Sequence, residues 1–124
     1  MISTDRAALA WLGTSVALGV AFWWFSPVIT GHVEPWDAEA PVWGLSWLVV
    51  ALAGGAAGRP RGILLPIGYA AGQMLATLGI TLTGEFGFLG WVFIAAYAVP
   101  AIAVATALVG ACALVRRMRQ NRVR

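Results

Sequence analysis

His32, Glu34, Asp37 and Glu39 are side chains able to hold a cation or move a proton, and all four fall within the stretch "TGHVEPWDAEAPVW", residues 30–43. His32 is the only histidine of the chain, and three of the five acids lie here. Imidazole and carboxylate oxygens together suit zinc, manganese or calcium. Their spacing matches no standard metal loop, however, and Pro35 holds Glu34 in an extended conformation that limits convergence. Glu34 and Asp37 are also a possible acid–base pair, since two carboxylates divide roles when their environments differ, but no candidate nucleophile stands with them. The expectation is no metal, no cofactor and no catalysis. Trp36 and Trp43 favour another chemistry. Aromatic anchors ringed by polar groups are what a protein-docking surface needs, and His32, Glu34, Trp36, Asp37, Glu39 and Trp43 are the candidate docking residues.

The rest of the chain must hold this stretch in place, and it is greasy. Of 124 residues, 60% are hydrophobic and 10% charged, against about 25% charged in soluble domains. So few charges cannot cover a water-facing surface, so a bilayer is the expected solvent. One cysteine, Cys112, excludes an internal disulfide and any CxxC site, and one histidine excludes an intrachain bis-His haem. Apolar runs at 7–29, 41–57, 62–83 and 88–115 are candidate spanning helices, which require about 20 residues; the second run is at the short limit and the fourth is long. Polar–apolar alternation is absent, which argues against strands. The expected architecture is therefore all-α, a single transmembrane four-helix bundle with an outer loop at 30–40 and a basic tail at 116–124. The first run is too long for the h-region of a cleaved signal peptide, although "AEA" at 38–40 mimics a cleavage site.

The charges orient this scheme. All eight basic residues are arginines. They precede the first run (Arg6), separate the second from the third (Arg59, Arg61) or follow the fourth (Arg116, Arg117, Arg119, Arg122, Arg124). Positive loops stay cytoplasmic, so both termini are expected inside and the acidic loop outside. Arg116, Arg117, Arg119, Arg122 and Arg124 then read as contacts to anionic lipid, and no nucleic-acid partner is expected. Six of the seven tryptophans fall toward the outer end, where aromatic side chains gather at the headgroups. A 3₁₀ turn is expected at 35–39, with Trp36 directed into the membrane. Within the bundle, Gly54-x-x-x-Gly58 and Gly68-x-x-x-Gly72 permit close helix approach, as do the rows Ala101/Ala105 and Ala103/Ala107. Tyr69, Gln73, Thr77 and Thr81 recur every four residues on one helical face; they are either interhelical hydrogen-bond groups or the lining of a solute path. Pro100 should kink the last helix.

The run Thr30-Gly31-x-x-Glu34-Pro35-Trp36-Asp37 resembles a segment of small uncharacterised bacterial four-helix inner-membrane proteins. The resemblance spans eight positions and the general layout, and it implies a multi-pass protein of the bacterial cytoplasmic membrane without implying a function. Other small membrane families are excluded by what is missing. The first run lacks the glutamate of small multidrug-resistance exporters, the asparagine and phenylalanine pattern of fluoride channels is not found, and there is no CxxC of the vitamin K epoxide reductase type. The functional expectation is a non-catalytic accessory or assembly subunit whose partners are lipids and other membrane subunits. The alternative is a homo-oligomeric transporter or channel using the Tyr69–Thr81 row.

Overall fold

The computed structural model describes residues 2–37, 41–84 and 87–122, and among them every regular element is helical. The α-helices are α1 (Ile2–Trp24), α2 (Ser26–Thr30), α3 (Val42–Ala56), α4 (Leu64–Ala76), α5 (Leu78–Thr83) and α6 (Gly87–Arg122). Two 3₁₀ turns, η1 (Pro35–Asp37) and η2 (Pro60–Ile63), lie between them.

Local chemistry sets these boundaries. Pro27 has no N–H to return to the Trp23 carbonyl, so the helix breaks just before it, with Phe25 at φ −87, ψ 0. Gly31, at φ +76, closes α2 by donating its N–H to Pro27 O, the left-handed cap that glycine adopts without a Cβ penalty. Gly58, at φ +60, ends the α3 segment. Thr77 separates α4 from α5, its hydroxyl donating back to the carbonyls of Gln73 (3.0 Å) and Met74 (3.1 Å). Such back-bonding competes with the helix's own ladder.

The middle helix is α4. α1 lies parallel to it, and its packing is almost wholly on this one neighbour. A Cβ on Gly68 would meet Ser15 and the Leu12 carbonyl, and one on Gly72 would collide with the Val16 carbonyl and approach Gly19 Cα at 3.0 Å. Backbones this close are the use expected of the glycine row. α3 runs antiparallel to α4 and parallel to α6, with Gly44 against Tyr97 and Gly55 against Leu108. The inner face of α6 is Ile94, Ala98, Ala101 and Ala105, all buried, at the four-three spacing of one helical stripe. Of the two expected alanine rows only Ala101/Ala105 is inside; Ala103 and Ala107 face outward. α6 continues as one α-helix across Pro100 and onward through Arg122.

The expected four-helix transmembrane bundle is overturned. Six α-helices form among the described residues, and only two are long and apolar enough to cross a membrane. These are Arg6–Trp24, with mean hydropathy 1.5, and Gly87–Arg122, with mean hydropathy 2.3. A third crossing arises only if Ser26–Asp37 and Val42–Ala56, set 93° apart, act as one bent span. The reason is length. α3 has 15 residues, or about 22 Å at 1.5 Å per residue, against a hydrocarbon core about 30 Å thick. The run at 62–83 opens as a 3₁₀ turn and is cut again at Thr77, which leaves 13 residues in α4. The reading by resemblance to four-helix inner-membrane proteins falls with it. What stands is a membrane-associated, multi-span chain. Leu9, Leu18, Val49, Leu52, Leu75, Val92 and Val99 project from its flanks, and an exterior this apolar contacts lipid.

Candidate functional site

One end of the molecule holds the arginines and the other the aromatics. At the arginine end, η2 lies beside the start of α1 and the later part of α6, and a Cβ on Gly58 would come within 2.6 Å of the Arg116 guanidinium. Arg117, Arg119 and Arg122 are exposed on the helical extension of α6. Arg124 lies outside the described residues.

At the aromatic end, the TGxxEPWD run builds a rigid cap. Ser26 Oγ donates to His32 O (2.8 Å), Thr30 Oγ1 donates to Ser26 O (2.9 Å), and His32 N donates to Thr30 Oγ1 (3.2 Å). Ser26 and Pro35 are buried. The chain is thereby turned back over the bundle and enters η1, where Asp37 N donates to Glu34 O (3.1 Å). Glu34 Oε2 accepts the Trp36 indole N–H at 2.8 Å. Trp36 turns into the protein rather than the membrane: its ring lies 4.7 Å from Trp23, 5.5 Å from Trp43 and 6.0 Å from Phe93, centroid to centroid. A Cβ on Gly90 would approach Trp36 Cη2 at 3.0 Å, so glycine there makes room for the indole.

The candidate docking residues therefore divide. Trp43 is 4% exposed and belongs to the core; Trp36 is half-buried under the cap; Glu34 is half-buried and bonded to it. His32 and Asp37 remain exposed. Glu39 lies outside the described residues, as do Glu85 and Phe86. The open surface at this end comes from residues that the sequence did not single out for docking: Trp24, Phe25, Val28, Ile29 and Val33. Pro27 and Gly31, which fix α2 and throw these side chains outward, were the available signal.

The polar row of α4 faces its own chain. Gln73 Oε1 accepts the Trp43 indole N–H (3.1 Å), Tyr69 OH donates to Ser46 Oγ (2.9 Å), and Ser46 Oγ donates to Trp43 O (2.6 Å). Thr77 Oγ1 accepts the Trp91 indole N–H at 3.2 Å, and Thr81 Oγ1 donates to Gly87 O at 3.3 Å. Tyr69, Gln73 and Thr77 thus tie α4 to α3 and α6, while Gln73 Nε2 and Trp47 Nε1 are buried without a partner among the described residues. This geometry makes a prediction. Trp43→Phe leaves the whole Gln73 amide unpaired and should destabilise by about 1–3 kcal/mol. Adding Gln73→Leu should restore part of that loss, because the unpaired amide is then gone. Unfolding midpoints of both variants in detergent check the order; a double variant less stable than Trp43→Phe alone would contradict it.

Beneath the cap lies a cavity of about 340 Å³ lined by Trp23, Glu34, Trp36, Thr77, Thr81 and Phe93, with Gly84, Gly87, Leu89 and Gly90 completing its wall. Among the described residues no three His, Cys, Asp or Glu side chains converge as metal ligands. An apolar groove of about 570 Å³ runs between α1, α2 and α3, with Ser46 and Tyr69 among its lining residues. Comparison with family models, with characterised proteins and with solved structures finds no match.

Proposed function

We propose that this chain is a non-catalytic accessory or assembly subunit of a larger protein complex in the bacterial cytoplasmic membrane, with its arginine end toward the cytoplasm. The observation that carries the reading is the exposed ridge of α2 and the following turn. Val28 is 83% exposed and Val33 69%, beside Trp24, Phe25 and the polar His32 and Asp37. An apolar ridge rimmed by polar groups, held stiff by the Ser26–Thr30–His32 hydrogen bonds, is the shape of a preorganised docking element. Its partners are other membrane proteins and the surrounding lipid; nucleic acid is not among them, because the basic end suits anionic headgroups. The alternative, a homo-oligomeric solute path along Tyr69, Gln73, Thr77 and Thr81, has weaker support, since the first three of these groups bond to side chains of α3 and α6.

The test is site-specific photo-crosslinking in native membranes. A photoreactive residue at Val28 or Val33 should give discrete protein adducts of higher mass, whereas one at Val49, on the lipid-facing flank, should give none. Adducts absent from Val28 and Val33, or equally frequent at all three positions, would remove the docking reading.

A further inference from the structure

We infer that the cavity beneath the cap is a binding site for an alkylammonium group. This rests on the cavity and not on the docking ridge, so either can fail without the other. The space, about 340 Å³, lies at the lower end of the range for small-ligand sites, roughly 300–1,000 Å³. Three aromatic side chains, Trp23, Trp36 and Phe93, line it together with one carboxylate, Glu34. Among the described residues no arginine lies at this end of the fold, and the Glu34 side chain is met there by a single indole N–H on Oε2. A carboxylate that sits half-buried among aromatic rings leaves charge to be matched.

The class of ligand follows by elimination. A metal ion needs several ligating groups, and among the described residues only one carboxylate lines the space. An anion would face Glu34 directly. A neutral apolar molecule would leave the carboxylate unmatched and less solvated. A guanidinium would bring five N–H donors to walls whose acceptors are few, because the Thr77 hydroxyl is already engaged with Gln73, Met74 and Trp91. An alkylated ammonium needs few or no hydrogen bonds. It is attracted by ring faces and by one carboxylate, the combination that recognises choline-type cations. Thr81 offers a hydroxyl oxygen to any remaining N–H. The source of the group is either a free amine or the headgroup of a lipid at the outer interface.

Choline is the probe, titrated against the purified chain in nanodiscs of phosphatidylglycerol, with tryptophan fluorescence as the readout because Trp23 and Trp36 line the space. The expected result is a saturable change. The uncharged isostere 3,3-dimethylbutanol should bind more weakly. Glu34→Gln should weaken choline binding by about tenfold while keeping the unfolding midpoint, since the glutamine carbonyl still accepts from Trp36 Nε1. Phe93→Leu, which removes a ring but keeps apolar bulk, should weaken it by about threefold and serves as a second test if Glu34→Gln folds poorly. Repeating the titration with phosphatidylcholine in the disc separates the sources. Competition with choline assigns the site to a headgroup, and unaltered choline binding assigns it to a free amine. No saturable response, equal binding of the neutral isostere, or choline affinity unchanged in a folded Glu34→Gln would overturn the inference.

Discussion

Gly72→Leu is expected to detach α1 from α4. The first added carbon would collide with the Val16 carbonyl and lie 3.0 Å from Gly19 Cα. Those are backbone atoms, which cannot rotate away as a side-chain tip can, so the two helices must separate. A loss of about 3 kcal/mol, the upper end of ordinary overpacking, is the expected scale. Because α1 has almost no other neighbour, separation in one place releases the whole helix. The measurement is the midpoint of unfolding in a mixed-detergent titration. Gly110→Leu is the control, since nothing lies within 4 Å of a Cβ at that position and its midpoint should not move. A Gly72→Leu midpoint equal to wild type would mean that α1 is not seated along this row.

The second large effect lies in the core. Trp47 is 2% exposed, with its ring 4.8 Å from Tyr69 and 6.4 Å from Trp43. Trp47→Ala should cost about 3 kcal/mol, the low end of the range for deleting a large aromatic side chain. The low end applies because lipid, unlike water, supplies no transfer term. What remains is the dispersion lost around the void. Trp47→Phe should behave very differently. The indole N–H has no partner among the described residues, so phenylalanine forfeits no hydrogen bond seen there and removes a buried orphan donor. It should stay within about 1.5 kcal/mol of wild type. Parallel thermal unfolding of the two variants checks the contrast, and a phenylalanine variant as damaged as the alanine one would point to an unrecognised partner for the indole N–H.

Composition and the length of the apolar runs made a helical membrane chain legible, and the four-residue spacing of Tyr69, Gln73 and Thr77 placed them on a protein-facing surface. Gly68 and Gly72 signalled close approach, although nothing in their spacing named α1 as the neighbour. The number of spans was not legible, because hydropathy reads a run without seeing where its backbone breaks. The break before Pro27 was visible in principle. That at Thr77 was not, since it depends on a hydroxyl choosing its own helix's carbonyls and an indole, Trp91, 14 residues away. Trp36 misled for a related reason. An interfacial tryptophan is ordinarily expected in the headgroups, but the gap left by Gly90 admits it to the interior. The cavity was invisible for a similar cause: Trp23, the Glu34–Trp36 pair and Phe93 come from three separate segments, and only the fold-back of the cap over α6 brings them together.

The parallel pairing of α1 with α4 also bears on how the molecule is made. Chains emerge from the ribosome N-terminus first, and α1 and α3 leave it without a substantial seam between them. The groove around Gly19 stays empty until Gly68 and Gly72 have been translated. Thr77 receives its indole partner only when Trp91 follows. A nascent chain halted before Leu64 therefore has little beyond the Trp36 contacts with Trp23 and Trp43 to join α1 to α3, and such a product should be an early target for membrane proteases.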